Sequence, residues 1–377
     1  MGPPLADSRR GSRARDPQCP RRLPSLGEVQ GVIAVGSPPG RRRLVAVTVA
    51  VVLALVVAVG VGLGVGPTPI APGRILGALF SLAGVGHSTL TPLQATIVWQ
   101  LRAPRLVLGL VAGSMLAVAG ASYQGVFRNP LADPYLLGVA AGAGLGATLA
   151  ITRYGLGGAI PTWTPWLAFV GALVAVVATW LIGGRSLRST PATLLLAGVA
   201  VSALLTSVQT YLQQQASAQS IARVYIWLLG SLASASWHSV AVVAPYVAGS
   251  LVVCLFAARA LDVMSVGDEE ARSLGIQVRY VRWIVVAAAS LGTSAIVSAA
   301  GLIGFVGIIV PHIIRLVVGV SYRRIVPLSL LFGAAFLVLA DTVARTVMAP
   351  SELPLGVVTA LLGAPVFVII LGWRRPT

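Results

Sequence analysis

Residues 41–66 read RRRLVAVTVAVVLALVVAVGVGLGVG. Three arginines are followed by an apolar run, Leu44 to Gly66, that holds no charged side chain. A hydrocarbon core roughly 30 Å thick is crossed by about 20 apolar helical residues, so this run predicts a membrane span. Outward from it the pattern recurs as far as Trp373, with long apolar stretches separated by short polar turns. Ten candidate spans result, at 44–66, 106–126, 132–152, 163–183, 193–213, 237–258, 282–300, 304–318, 326–345 and 355–373. The eighth is short enough to be half of a pair broken from the seventh. Charged residues make up 10% of the chain and mean hydropathy is +0.90, values that exclude a soluble domain. The fold class is all-α, a polytopic membrane protein with ten transmembrane helices.

Charge sets the orientation. The formal net charge is +17, from 27 basic residues against 10 acids, and every basic residue is an arginine. Nine arginines, Arg9 to Arg43, precede the first span, opposed only by Asp7, Asp16 and Glu28. Residues 1–43, rich in Pro, Gly, Ser and Arg, read as a disordered basic cytoplasmic tail. No aromatic residue is interleaved with these arginines, so no nucleic-acid partner is expected. The first apolar run starts too far in for a cleaved signal peptide and reads as a retained span. With both termini cytoplasmic, the inside receives Arg41–Arg43, Arg128, Arg185, Arg188, the loop from Arg259 to Arg282, Arg323, Arg324, Arg374 and Arg375. The outside receives fewer: Arg74, Arg102, Arg105, Arg153, Arg223 and Arg345. That excess satisfies the positive-inside rule. Cys19 and Cys254 form neither a disulfide framework nor a metal site.

Three stretches are distinctive. The first holds Leu101-Arg102-Ala103-Pro104-Arg105, then Gln124, then Phe127-Arg128-Asn129-Pro130-Leu131-Ala132-Asp133-Pro134. The second is Gly304-Phe305-Val306-Gly307 with Pro311-His312-Ile313-Ile314-Arg315. The third runs from Leu339-Ala340-Asp341 to Arg345, then Glu352-Leu353-Pro354-Leu355-Gly356 and Gly363-Ala364-Pro365. On these motifs the chain, over roughly 44–373, resembles the FecCD-type permease subunits of bacterial iron-siderophore, haem and vitamin B12 ABC importers.

The resemblance implies a type II ABC importer permease fold in a bacterial cell membrane. It implies a second permease subunit, identical or related, and two cytoplasmic ABC ATPase subunits that use ATP and Mg. It also implies an extracytoplasmic substrate-binding lipoprotein or periplasmic protein that hands over the cargo, with an iron-siderophore chelate as the first choice and haem or vitamin B12 as alternatives. This chain shows no G-x-x-x-x-G-K-[S/T] phosphate loop, so it is expected to be a transport subunit, not an enzyme, with no cofactor of its own.

Site residues follow. In the loop 261–280, Ser265 is expected to cap a short helix with Asp268 and Glu269 in its first turn and Gly275 at its end. A second short helix then runs to Tyr280. The loop looks like the family's coupling helix, and Val266, Asp268, Glu269, Ala271, Arg272, Leu274 and Gly275 are the residues expected to meet the ATPase. Val266, Ala271 and Leu274 supply its apolar contact. Arg102 and Arg105, three apart, share one helix side, and with Arg345 they match the family arginines that dock the binding protein. The alternatives for the first two are headgroup anchoring or contact with Glu352. Asp341 and Arg345 are spaced for an i,i+4 pair that locks the end of the ninth span. Asn129, Pro130, Pro311 and His312 are expected to be structural or gating, because His312 has no companion at metal-ligand spacing. Pro311 and Pro365 are expected to kink or interrupt their helices. Gln124 and the amides from Gln209 to Gln215 face protein or water. Ser220 to Gly230 reads as a short outer helix carrying Arg223, Tyr225 and Trp227. The runner-up is a gradient-driven secondary transporter, which requires a membrane-embedded acid or ion site. A membrane enzyme requires a constellation such as H-E-x-x-H, and none is present.

Overall fold

In the computed structural model the first apolar run is helical from Arg41, three residues before the expected start. The structure describes Gly2, residues 40–66, Thr68, and residues 70–82, 89–155, 160–184 and 191–372. The chain divides into two units, Met1–Pro38 and Pro39–Thr377. Apart from Gly2 and residues 40–43, the tail expected over 1–43 lies outside the described residues, as do Arg185, Arg188, Arg374 and Arg375.

The second unit is helical throughout its described elements. In chain order these are α1 Arg41–Gly64, α2 Pro72–Leu82, α3 Pro92–Phe127, α4 Val139–Tyr154, α5 Thr164–Gly183, α6 Pro191–Gln214, α7 Ala218–Leu228, α8 Trp237–Met264, α9 Asp268–Ser273, α10 Val278–Ala300, α11 Val306–Val318, α12 Tyr322–Thr346 and α13 Leu355–Gly372. Among them, seven are long and apolar enough to cross a membrane: α1, α3, α5, α6, α8, α10 and α12. The other three expected spans also hold helices, but α4, α11 and α13 are shorter. The chain is therefore an all-α polytopic membrane protein, with seven full-length spans among the described residues.

The expected span 132–152 is not one helix. Asn129 accepts from the Leu131 amide at 2.9 Å, Asp133 caps a 3-10 turn at Pro134–Leu137, and α4 begins only at Val139. Irregular backbone at membrane depth is tolerated where protein covers it, and here Ala132, Pro134 and Leu137 are buried. The Tyr135 hydroxyl donates to the Ile303 carbonyl at 3.0 Å and accepts from the Ile303 amide at 3.1 Å. Thr179 donates to the Leu137 carbonyl at 3.1 Å. The break between α10 and α11, at 301–305, thus meets the break before α4.

Helix α3 is the hub. Small and apolar residues on every side of it, nearly all buried from Ala112 to Phe127, let it pack against α1, α8, α10, α11 and α12. A Cβ on Gly113 would overlap the Gly333 carbonyl of α12, and one on Gly120 would overlap the Gly307 carbonyl of α11. Close backbone approach of this kind substitutes for the hydrophobic drive that lipid removes. Helices α4, α5 and α6 form a second packed group, joined to the hub through α10.

Neither proline interrupts its helix: α11 runs through Pro311 and α13 through Pro365. The expected second short helix before Tyr280 is also absent, because α10 starts at Val278 and continues to Ala300. The expected outer helix at 220–230 is α7, capped by Ser217.

Candidate functional site

Three polar stations lie along α3, at its start, deep within it and at its end. From Arg105 to Phe127 the helix rises roughly 33 Å at 1.5 Å per residue, about one hydrocarbon core. The first and last stations are therefore at opposite ends of the bundle.

The first station begins with Pro104, which has no amide proton to give the Gln100 carbonyl. The helix passes it through a π turn, Ile97–Arg102, in which the Ala103 amide reaches the Val98 carbonyl. Arg102 then turns to the C-terminus of α1, where helix carbonyls lack partners. It donates to the Leu63 and Gly64 carbonyls at 2.7 and 3.0 Å and to the carbonyl and hydroxyl of Thr68. Arg345 of α12 donates to the Gly62 carbonyl. Two cations thus close a helix end that favours positive charge.

Arg105 holds two carboxylates at once. Its Nε and Nη2 bond both oxygens of Asp341 at 2.8 to 3.1 Å, and Nη1 and Nη2 bond Glu352 at 2.8 and 3.0 Å. The Arg105 and Asp341 side chains are 12% and 8% exposed, and Glu352 is 36% exposed. The three arginines of the docking expectation each find partners within the chain. Arg102, Arg105 and Arg345 are committed within the chain and present no free guanidinium at the surface. The Asp341–Arg345 pair is also secondary, at 3.9 Å; Asp341 belongs chiefly to Arg105, 236 residues away. The alternative contact of Arg105 with Glu352 is the one formed.

At the second station Pro311 again removes a donor, leaving the Gly307 carbonyl of α11 without its helical amide. Gln124 Nε2 donates to that carbonyl at 3.1 Å, and Gln124 Oε1 accepts from Arg315 Nη2 at 2.8 Å. Arg315 also lies over the Tyr322 ring, 5.9 Å from its centroid. Gln124 therefore faces protein and repairs the helix that Pro311 enters. His312 is buried beside it. Among the described residues no cluster of three His, Cys, Asp or Glu side chains is placed to hold a metal ion.

The third station joins α3 to the loop before α10. Arg128, in the left-handed conformation (φ 48°) that ends α3, pairs with Asp268 at the start of α9. Arg282 of α10 bonds the same carboxylate at 3.1 and 3.2 Å. Asp262, near the end of α8, accepts from the Ser321 hydroxyl at 2.9 Å and from the Tyr322 and Arg323 amides, so it caps α12 from another helix. Gly267, not Ser265, is the N-cap of α9; Ser265 ends α8. Gly275 (φ 82°) closes α9, with its amide on the Arg272 carbonyl at 2.9 Å and the Ile276 amide on the Ala271 carbonyl at 3.0 Å. Ala271 is fully buried with Met264 and Val278 and is unavailable to a partner. Val266 and Leu274, by contrast, are 74% and 71% exposed. Glu269 and Arg272 lie on the exposed face of α9.

The model of the FecCD transport family matches residues 42–373. The chain is 44% identical over 279 residues to the cobalamin import system permease protein BtuC of Halobacterium salinarum, covering 74% of each. It is 39% identical over 299 residues to the vitamin B12 import system permease protein BtuC of Vibrio cholerae, 76% of this chain and 88% of that one. It is 37% identical over 281 residues to the hemin transport system permease protein HmuU of Yersinia pestis, 74% and 84% of the two. A solved structure of a metal-chelate type ABC transporter in an inward-facing conformation is similar at TM-score 0.75 and 28% identity, covering 85% of this chain and 97% of that one.

Proposed function

The chain belongs to the FecCD transport family, and from that premise we propose that it is the membrane permease of an ABC importer whose cargo is a corrinoid of the vitamin B12 kind. As a permease subunit it is not itself the ATPase. The observation that carries the cargo is the likeness, over about three quarters of the chain, to permeases described as importing cobalamin or vitamin B12. The iron-siderophore choice drawn from the motifs gives way to it, and haem is the second reading, favoured by the Yersinia relative.

In this reading ten helices traverse the membrane, with α4, α11 and α13 as short members, and both termini are cytoplasmic. Two permease subunits form the pathway. Two ATPase subunits press on α9, meeting Val266 and Leu274 directly and Glu269 and Arg272 at its rim, while Asp268 transmits the movement to Arg128 and Arg282. The binding protein docks at the opposite mouth around Glu352, whose position Arg105 holds. Arg102 and Arg345 act by keeping the end of α1 in place. Gln124, Pro311 and His312 belong to the joint between α3 and α11, and Asn129 and Pro130 to the turn beneath it.

The test is uptake of labelled cobalamin, haemin and a ferric siderophore into vesicles carrying the permease with its cognate ATPase and binding protein, with and without internal ATP. ATP-dependent cobalamin uptake is expected. ATP-dependent uptake of haemin alone would transfer the cargo to the second reading. Gradient-driven uptake persisting without the ATPase would overturn the importer itself.

A further inference from the structure

Two neighbouring cavities at the α9 end of the bundle share one residue, Trp283. The first, about 570 Å³, lies under the turn between α9 and α10 and is lined by Arg272, Arg279, Tyr280 and Trp283. No acidic side chain lines it. Arg272 and Arg279 are exposed and make no ion pair among the described residues, whereas Asp268 nearby is already held by Arg128 and Arg282. The second cavity, about 290 Å³, is a groove between α5, α6 and α10, lined by Val177, Trp180, Leu194, Val286 and Trp283. Trp180 and Trp283 meet edge to face, 5.2 Å between centroids; Trp283 lines both cavities and Trp180 the groove.

We propose that this pair of cavities is a binding site for one anionic phospholipid from the leaflet at the α9 end. Its phosphate sits between Arg272 and Arg279, and an acyl chain lies in the groove beyond Trp283. Charge complementarity selects the occupant. Two unpaired guanidinium groups with no carboxylate in the wall call for an anion. The aromatic pair marks headgroup depth, and the groove behind it, with Thr179 its one polar side chain, offers almost wholly apolar surface to a chain. A soluble anion leaves the groove empty, and a zwitterionic lipid brings its own cation beside the two arginines, which cancels the charge of its phosphate.

The experiment uses the purified full-length permease in detergent, without ATPase or nucleotide, so its outcome is independent of the transport reading. The protein is exposed to equal amounts of phosphatidylglycerol and phosphatidylcholine, and retained lipid is counted by native mass spectrometry. The unaltered chain is expected to keep phosphatidylglycerol in preference, by about fivefold per engaged arginine. In R272Q/R279Q the preference should fall to about one, while R323Q/R324Q, which removes the same charge elsewhere at this end, retains it. A monodisperse elution profile checks that each variant is folded. Equal retention of the two lipids by the unaltered chain overturns the site. So does a preference that survives in R272Q/R279Q or vanishes equally in R323Q/R324Q. In a separate pull-down with the ATPase, lost assembly of R272Q/R279Q beside an unchanged lipid preference would overturn the site and assign the surface to the ATPase.

Discussion

Arg105 shows what a single side chain does in this protein. Its planar guanidinium has enough donors to engage two carboxylates in fork geometry, and it ties α3 to α12 and to the segment before α13. Removing it leaves Asp341, which is almost fully buried, with only the distant Arg345 at 3.9 Å. Truncating one partner of a buried pair costs about 3–5 kcal/mol, and the more exposed Glu352 adds little. Arg105→Ala should therefore lower the thermal or denaturant midpoint in detergent by that order, and R105A/D341A should recover part of the loss. A single variant within about 1 kcal/mol of the unaltered chain would show that the pair is dispensable. Contact with Glu352 was among the alternatives the sequence offered, but the pairing of Arg105 with Asp341 was not readable in the spacing. The i,i+4 relation pointed Asp341 at Arg345, but the two meet only at 3.9 Å, because Arg345 is drawn to the open carbonyls of α1.

Among the elements, α9 is short and bound to its neighbours at both ends. Its first residue is clamped between two arginines, its Ala271 is packed inward, and Gly275 closes it. One carboxylate, that of Asp268, links α9 to both α3 and α10, and in the proposed reading it carries the push of the ATPase. Asp268→Asn keeps the shape and weakens the clamp. In the reconstituted importer, uptake per ATP hydrolysed should fall about tenfold, within the range of ordinary coupling energies, while the ATPase itself changes little. Uptake and hydrolysis falling together would show that Asp268 serves assembly, not coupling. The acidic first turn and the terminal glycine of α9 were legible from composition. Its N-cap and the inward turn of Ala271 were not, since both depend on how the loop folds back on α8 and α10.

For the molecule as a whole, two breaks in the helical pattern meet in the interior, and they account for the late starts of α4 and α11. The apolar runs at 132–152 and 304–318 begin with irregular turns, joined through Tyr135 and Ile303. The arginine-rich segment precedes the first helix in sequence. The family match starts at residue 42 and the second unit at Pro39, so a chain lacking residues 2–38 should insert and transport within about twofold of the full one. A larger loss in vesicle uptake, at equal amounts of inserted permease, would assign that segment a part in transport.

Hydropathy alone determined that the chain is a helical membrane protein and where its apolar runs lie, because the cost of unpaired backbone in lipid leaves helices as the answer for runs of this length. Motifs of Arg, Pro and Gly determined the family. Tertiary structure alone decided which arginine meets which carboxylate, that Gln124 replaces the amide Pro311 lacks, and which apolar runs start as turns. Those outcomes rest on contacts between residues far apart in the chain. In a low-dielectric interior each buried charge and open carbonyl takes the partner that packing brings within reach, and sequence spacing does not encode that distance.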